Sequence, residues 1–261
     1  MLSCALAALL AQAPVSTAPG APPAATPATQ LTGTVSAGAA ILTGNSESTT
    51  FTFGSALTWK TPDWIYGFKA SGVYGRSTDP NTGVESTNAL NGSVSLRGAR
   101  RVSEVVAIYL EGAVDTDHLK SIEWRPTGEL GVSLQLVDHK EGDFQTEALR
   151  LDFGFRGGYE YRFQYFPTAL NIPDQTIAAP KAGASMRYAV TRATIFTDEL
   201  TALVNIPDGP RLLLNNVAKL TTQLYGTLSF AVSYGIGEDT SPPPGKKNLD
   251  TTLTLGLEMT L

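Results

Sequence analysis

The sequence is poor in cysteine, histidine and charge. Cys4 is the only cysteine in 261 residues, so no disulfide can form within the chain, and it lies too early for a lipoprotein site. His118 and His139 are the only histidines, and no G-x-S-x-G, CxxC, H-E-x-x-H or phosphate-loop motif occurs. Charged residues are 16% of the chain, and a net charge of −5 offers no basic surface to nucleic acid. We therefore expect no enzyme, no cofactor and no nucleic-acid partner.

Long hydrophobic runs are also missing. No segment approaches the roughly 18 to 20 apolar residues that a spanning helix needs, which excludes a helical membrane protein. The short apolar block Leu2 to Leu10, followed by Ala11-Gln12-Ala13, is typical of a signal peptide with its cleavage site. An Ala, Pro, Thr and Ser segment comes next, and this composition is typical of an extended linker. The predicted organisation is a signal peptide over 1–13, a linker over 14–30 and one ordered domain over 31–261.

Apolar and polar residues alternate along most of that domain. In the last segment, Leu253, Leu255, Leu257, Met259 and Leu261 alternate with Thr252, Thr254, Gly256, Glu258 and Thr260. This period of two indicates β-strands with one apolar face. The pattern predicts twelve strands, with ten as the alternative. The twelve are 33–43, 47–60, 63–76, 86–100, 104–115, 122–137, 147–162, 180–190, 193–205, 211–223, 225–237 and 249–261.

The predicted connections are of two kinds. Those after even-numbered strands are mostly tight, as at Thr61-Pro62, whereas those after odd-numbered strands are mostly long, as from Phe163 to Ala179. Two connections break the rule, because Gly44-Asn45-Ser46 is short and Asp138 to Thr146 is long for a turn. An outer-membrane barrel with both termini in the periplasm has this asymmetry, since its short turns face the periplasm and its long loops face outside.

Three further observations favour a closed antiparallel up-and-down transmembrane β-barrel over a soluble one. Several strands exceed the five or six residues that are usual in soluble proteins. Their polar faces hold Gly, Ser, Thr and charged residues, as a water-filled or ion-paired lumen requires. Aromatic residues cluster at strand ends beside short turns, where an interfacial girdle would lie: Trp59, Trp64, Tyr66, Tyr159 and Tyr161. A secreted lipocalin-like barrel gives the same period of two and stays an alternative.

From about Gly33 to Leu261 the chain resembles the salt-induced outer-membrane proteins, or YdiY-like proteins, barrels built on a domain of unknown function. The resemblance rests on Thr43-Gly44-Asn45-Ser46, on Gly131 to Asp138 and on Pro243-Pro244-Gly245. It implies insertion into outer-membrane lipid by the barrel-assembly machinery and an association with salt or envelope stress. Family members usually end in Phe, which that machinery reads, whereas this chain ends in Leu261.

Strand parity predicts a set of charged residues that face the lumen. In one interpretation they pair and fill a structural barrel; in the other, Arg97, Arg150, Arg156 and Arg187 line a pore that selects solutes by charge. Asp198 is predicted on the lipid face, at a bulge or at the membrane interface. The predicted lumen charges are Lys69, Arg97, Glu111, Glu129, Arg150, Asp152, Arg156, Glu160, Arg187, Lys219 and Glu258.

The function that these observations predict is a non-enzymatic outer-membrane barrel, associated with envelope or salt stress and offering a narrow pore for small solutes. Two alternatives remain open at this point: a secreted soluble lipocalin-like binding protein and an outer-membrane enzyme. The outer-membrane phospholipase motif H-x-S-N-G does not follow either histidine, because His118 precedes Leu119-Lys120-Ser121 and His139 precedes Lys140-Glu141-Gly142.

Overall fold

The chain folds into a closed β-barrel. The computed structural model describes residues 29–42, 47–78, 84–142, 144–162, 173–207, 209–242 and 248–261. Within these ranges it has twelve strands, each antiparallel to both neighbours, and β1 pairs with β12 to close the ring. The strands are β1 (Gln30–Leu42), β2 (Glu47–Lys60), β3 (Trp64–Thr78), β4 (Glu85–Arg101), β5 (Val106–Asp117), β6 (Ile122–Glu141), β7 (Phe144–Arg162), β8 (Gln175–Ala189), β9 (Thr194–Asn205), β10 (Arg211–Tyr225), β11 (Leu228–Asp239) and β12 (Leu249–Thr260).

The prediction of a twelve-stranded up-and-down barrel is confirmed, and the ten-strand alternative is wrong. Three predicted features lie outside the described residues: the signal peptide with nearly all of the linker, the Thr43-Gly44-Asn45-Ser46 turn, and Pro243-Pro244-Gly245. The first strand begins at Gln30, at the very end of the predicted linker. No helix of the described residues is long and apolar enough to span a membrane.

The barrel has two unlike rims, which we call the turn rim and the loop rim. The turn rim carries the start of β1, the end of β12 and the short connections after even-numbered strands; the loop rim carries the connections after odd-numbered strands. Asp138 to Thr146 is not a long connection, because β6 extends to Glu141 and β7 begins at Phe144. His139 therefore lies in a strand, opposite Glu147, and not in a connection as predicted.

Strand β8 starts earlier than predicted, at Gln175, and contains Pro180 in its interior. Proline lacks the N–H that a position paired on both sides in a strand interior needs. The structure accommodates it because this part of β8 pairs fully only with β7, where Pro180 faces Phe155. On the other side, the β8–β9 ladder begins only at Lys181, and the Asn205 side chain accepts from the Ala178 N–H at 2.9 Å.

The outer face of the barrel is apolar and uncovered. Large hydrophobic side chains on alternate positions of every strand point away from the lumen, and Leu110, Leu130, Phe155 and Leu253 are each more than half exposed. A soluble monomer rarely leaves such a continuous apolar surface in water. This distribution is the reverse of a soluble barrel, so the fold does not support the lipocalin-like alternative.

Aromatic side chains stack on this outer face near both rims. At the turn rim, Tyr66 stacks on Trp59 and Trp64, with ring centroids 5.4 and 5.8 Å apart. Tyr159 and Tyr161 lie instead at the loop rim, where Trp124 stacks on Tyr161 at 4.5 Å. The prediction that all these aromatics flank short turns is therefore wrong for the second group. Two aromatic belts are what a barrel that meets two membrane interfaces requires.

Candidate functional site

The candidate site is the lumen, and the structure places all eleven predicted lumen charges on its inner face. Strand pairing fixes this face, because paired residues share a side of the sheet: Arg97 pairs with Glu111, Glu111 with Glu129, and Glu129 with Arg156. Contacts between strands that are not neighbours in the sheet, described below, show that the face points inward. Asp198 lies on the opposite, outer face, where its carboxylate accepts from the Asn216 amide at 2.9 Å.

Near the loop rim, an ion cluster surrounds the fully buried carboxylate of Glu160. Arg125 donates to Glu160 at 3.1 Å and pairs with Asp115 at 2.6 Å. Arg162 also pairs with Glu160. Arg211 lies 3.7 Å from Glu160 and forms a fork with Asp239, with bonds of 2.8 and 2.5 Å. A buried carboxylate is tolerable only when its charge is compensated and its oxygens are hydrogen-bonded, and this cluster provides both.

A second cluster, in the middle of the lumen, surrounds Glu129, which is only 2% exposed. Its carboxylate accepts from the Tyr109 hydroxyl at 2.5 Å and forms ion pairs with Arg156 and Lys181, both at 2.8 Å. One negative charge is thus shared by two cations. These bonds join β5, β6, β7 and β8 from inside the barrel, in addition to their backbone ladders.

Two glycines make room for the Tyr109 ring against this wall. A Cβ at Gly131 would lie 2.7 Å from the Tyr109 side chain, and one at Gly154 would lie 2.7 Å from its hydroxyl oxygen. Any larger residue would clash with the ring or with backbone carbonyls. Tyr109 is accordingly 1% exposed. The Arg97 guanidinium covers it from the lumen, 3.7 Å from the ring centroid, which is cation–π geometry.

Arg97 connects this cluster to a third one. Its guanidinium lies 2.9 Å from Asp152, 3.4 Å from Glu111 and 2.6 Å from the Ser133 hydroxyl. Ser133 in turn donates to Asp152. Arg150 approaches the same carboxylate, with its Nε 3.2 Å from Asp152. Asp152 is thus also shared between two arginines.

Two further ion pairs cross the lumen, and we call them the struts. Lys69 on β3 and Glu199 on β9 come from opposite sides of the ring, and their charged atoms are 2.9 Å apart. Lys120, in the connection after β5, reaches Asp250 on β12 at 2.8 Å near the loop rim. Lys69 and Glu199 are 60% and 55% exposed, unlike the buried clusters. By contrast, the Lys219–Glu258 pair at 2.8 Å joins strands on one side of the barrel.

The side of the lumen that lies opposite the buried ion clusters is lined by small residues. The inner faces of β11, β12, β1 and β2 form what we call the small-residue wall; those of β4 to β10 form the charged wall. In the described residues, charges on the small-residue wall occur only near its ends, at Lys60, Asp239, Asp250 and Glu258. Between them its inner positions are Thr32, Thr34, Ser36, Gly38, Thr50, Thr52, Gly54, Ala56, Thr58, Ser229, Ala231, Ser233, Gly235, Gly237, Thr252, Thr254 and Gly256.

A cavity of about 430 Å³ lies within the lumen, lined by Lys69, Arg97, Arg150 and Glu199 among others. Polar and charged side chains dominate its lining, so it suits water and polar solutes better than an apolar ligand. Within the described ranges, no group of three or more His, Cys, Asp or Glu residues is arranged to bind a metal ion. His118 lies in the short 3₁₀ turn after β5, and His139 lies near the turn rim.

Several residues of the clusters were not among the predicted lumen charges. Parity identifies them in retrospect: Arg125 is in phase with Glu129, Arg162 with Glu160, and Lys181 with Arg187. Glu199 follows directly from Asp198, because consecutive strand residues face opposite sides. The missed residues are Tyr109, Asp115, Arg125, Arg162, Lys181, Glu199, Arg211 and Asp239.

Comparison with known proteins agrees with this geometry. Residues 35–261 match the family described as "Protein of unknown function, DUF481", which covers the whole barrel except the start of β1. The chain belongs to the DUF481 family. No curated protein matches it.

Solved structures resemble this DUF481 protein in fold. The NanC porin superposes with a TM-score of 0.51 at 13% identity, covering 88% of this chain and 100% of the porin. The COG4313 outer membrane channel from Pseudomonas putida F1 gives a TM-score of 0.47 at 10% identity, covering 93% and 100% of the two chains. The likeness to the NanC porin shows that the DUF481 chain has a porin-like outer-membrane barrel fold.

Proposed function

We propose that this DUF481 protein is a non-enzymatic outer-membrane protein whose lumen gives small polar solutes a narrow aqueous path. The observation that carries the proposal is the pairing of a charged wall with a wall of small, mostly half-buried residues, chiefly Gly, Ser and Thr. A barrel that served only as a structural element would gain stability from filling this space with packed side chains. Among the described residues, the ion pairs that cross the space between the two walls are Lys69–Glu199 and Lys120–Asp250.

The outer face and the two rims support an outer-membrane location and one orientation of the barrel. The apolar belt between two aromatic girdles matches a bilayer, and an outer-membrane barrel places its short turns in the periplasm. The turn rim and both chain ends would therefore be periplasmic, and the loop rim would face outside. The outer-membrane lipids are then the partner of the apolar face, and the barrel-assembly machinery is the partner during insertion.

A closed, purely structural barrel is the second candidate, and one observation favours it. The struts Lys69–Glu199 and Lys120–Asp250 cross the lumen and reduce its free cross-section. Such exposed pairs are weak, contributing about 1 kcal/mol or less each, so solutes and water can compete with them. We therefore favour an aqueous path for small solutes over a closed, purely structural barrel. The association with salt or envelope stress rests on the family resemblance and stays a prediction.

Planar-bilayer recording on the purified protein tests the proposal, after a gel has shown that unheated protein migrates differently from heated protein. We expect small, reproducible single-channel steps. Folded protein that inserts but never conducts would favour the structural barrel instead. Protein that fractionates away from the outer membrane and migrates identically with and without heating would contradict the membrane location itself.

A further inference from the structure

Two arginines near the turn rim differ from the other lumen arginines in their contacts. Arg150 on β7 faces Ser185 on β8, and Arg187 is two residues further along β8, on the same inner face. Diagonal neighbours of this kind are separated by about 7 to 8 Å, within reach of two long side chains that converge on one ligand. Arg97 and Arg156, by contrast, are held by carboxylates of the clusters.

The guanidinium groups of this pair keep most of their donors unused. Arg187 donates once, from Nε to the Gln145 carbonyl at 3.3 Å, and forms no ion pair with the described residues. Among the described residues, Arg150 forms one ion pair, in which its Nε lies 3.2 Å from Asp152. Within the described part of the chain, no terminal nitrogen of either guanidinium donates a hydrogen bond. Each arginine therefore still presents the planar fork of N–H groups that matches the oxygens of a carboxylate or phosphate.

The carboxylates around the pair do not neutralise it. Asp152 is shared with Arg97, and further along the same two strands Glu129 is shared by Arg156 and Lys181. The other acids on this part of the inner face already have a cation of their own: Asp138 is paired with Lys140, Glu199 with Lys69 and Glu258 with Lys219. The inner face of β7 and β8 thus carries an excess of positive charge here, although the whole chain has a net charge of −5.

We infer that Arg150 and Arg187 form an oxyanion-binding site in the lumen, and that the solutes that pass are small anions bearing carboxylate or phosphate oxygens. This inference rests on the proposed function, because it assigns the solute class of the same lumen. Ser185 and Thr197 lie beside the pair on the inner face and supply hydroxyl groups that a bound oxyanion can use. The site would select by charge and fork geometry, whereas the small-residue wall would supply space.

Reversal potentials across a KCl gradient test the charge preference. We expect the wild-type channel to prefer chloride over potassium, and added acetate or inorganic phosphate to lower the chloride current by occupying the site. The two probes separate the sources of the oxyanion: block by acetate indicates a carboxylate solute, and block by phosphate alone indicates a phosphate solute. A unit charge about 5 Å from the ion path changes the local anion concentration about fourfold even in water.

The test variant is Arg150→Gln with Arg187→Gln, for which we expect the chloride preference to fall at least about fourfold on the same Coulomb argument and the oxyanion block to disappear. The matched control is Arg100→Gln with Arg192→Gln. Arg100 lies over Trp64 on the outer face, and Arg192 is 82% exposed in the turn after β8, so the control removes equal charge outside the lumen. It should behave as the wild type.

A second variant keeps the inference testable if the glutamine pair folds poorly. Arg150→Lys with Arg187→Lys retains the charge but loses the fork, so we expect chloride preference to persist and oxyanion block to weaken. A wild-type channel without anion preference, or a preference unchanged by the glutamine pair, would overturn the inference and leave the proposed path intact. Folded wild-type protein that never conducts would overturn both.

Discussion

The charged wall and the small-residue wall of the lumen differ in the charge and the burial of their residues. On the charged wall, carboxylates such as Glu129 and Glu160 are buried and held by two or three cations each. On the small-residue wall, Thr52, Gly54 and Thr254 are neither charged nor buried. The side chains of the charged wall cross-link neighbouring strands from inside the barrel, whereas the short side chains of the small-residue wall leave space in the lumen. The residues that stabilise the barrel and those that leave room for solutes therefore lie on different sides of the ring, and not at different depths along its axis.

Removing a buried charge from the charged wall should have the largest effect. Glu160→Gln leaves Arg125, Arg162 and Arg211 with too little compensating charge, and breaking such a buried pair costs about 3 to 5 kcal/mol of unfolding free energy. Urea unfolding in detergent micelles measures this loss. The control is the same change in an exposed strut, Glu199→Gln, which should cost about 1 kcal/mol or less. Equal costs for the two variants would mean that the buried cluster is not special.

Replacing a glycine by a larger residue should also destabilise the charged wall more than the small-residue wall, but the difference should be smaller than for the buried charge. Gly154→Val forces a side chain against the Tyr109 hydroxyl oxygen, 2.7 Å from the new Cβ, and such overpacking costs about 1 to 3 kcal/mol. At Gly235 on the small-residue wall, the nearest atoms to a new Cβ are 3.9 Å away, so Gly235→Val should be nearly neutral in the same urea measurement. A large loss at Gly235 would show that the small-residue wall is packed.

Bulk on the small-residue wall should instead affect passage. Gly235→Trp places a large ring in the open part of the lumen, and we expect single-channel conductance to fall by roughly half or more, because conductance depends on pore diameter. Heat-modifiability on a gel controls for folding. An unchanged conductance in folded protein would place the path elsewhere in the barrel.

Breaking the Lys69–Glu199 strut should change stability only slightly but should change conductance. Lys69→Ala removes an exposed pair, so the unfolding free energy should change by about 1 kcal/mol or less. Conductance should rise, roughly twofold, because the side chain no longer crosses the lumen. Lys219→Ala, which breaks a pair that does not cross the lumen, should leave conductance near the wild-type value. The reverse ranking of the two variants would contradict the role of the strut.

Much of this architecture could be predicted because successive side chains of a β-strand point to opposite faces, so the alternation of apolar and polar residues shows which face each side chain lies on. In β12, the apolar Leu253 is expected on the outer face and the polar Thr254 on the inner face. Glu258 is four residues after Thr254, so it is expected on the inner face as well. The predicted start of β8, at position 180, was wrong because β8 begins at Gln175, and the strand accommodates Pro180 where it pairs fully with only one neighbour. The polar segment Asp138 to Thr146 also misled the prediction, because strands near a rim leave the apolar belt and lose their apolar face.

The partners of the lumen charges could not be predicted in the same way. Lys69 and Glu199 are 130 positions apart in sequence, and their meeting depends on the tilt and closure of the whole ring. The alternation of faces along each strand predicts that both side chains point inward. It does not predict their positions along the barrel axis. The sharing of Asp152 and Glu129, which leaves Arg150 and Arg187 with unused donors, likewise appears only when neighbouring strands are in register.

The most direct test of the account is thiol labelling of two adjacent residues in intact outer membranes. In a Cys4→Ser background, Thr254→Cys places a thiol on the small-residue wall, and Leu255→Cys places one on the apolar outer face. A membrane-impermeant, charged thiol reagent should react with the cysteine at position 254 and not with the one at position 255. Equal labelling of both, or labelling at position 255 alone, would contradict a membrane barrel with an aqueous lumen.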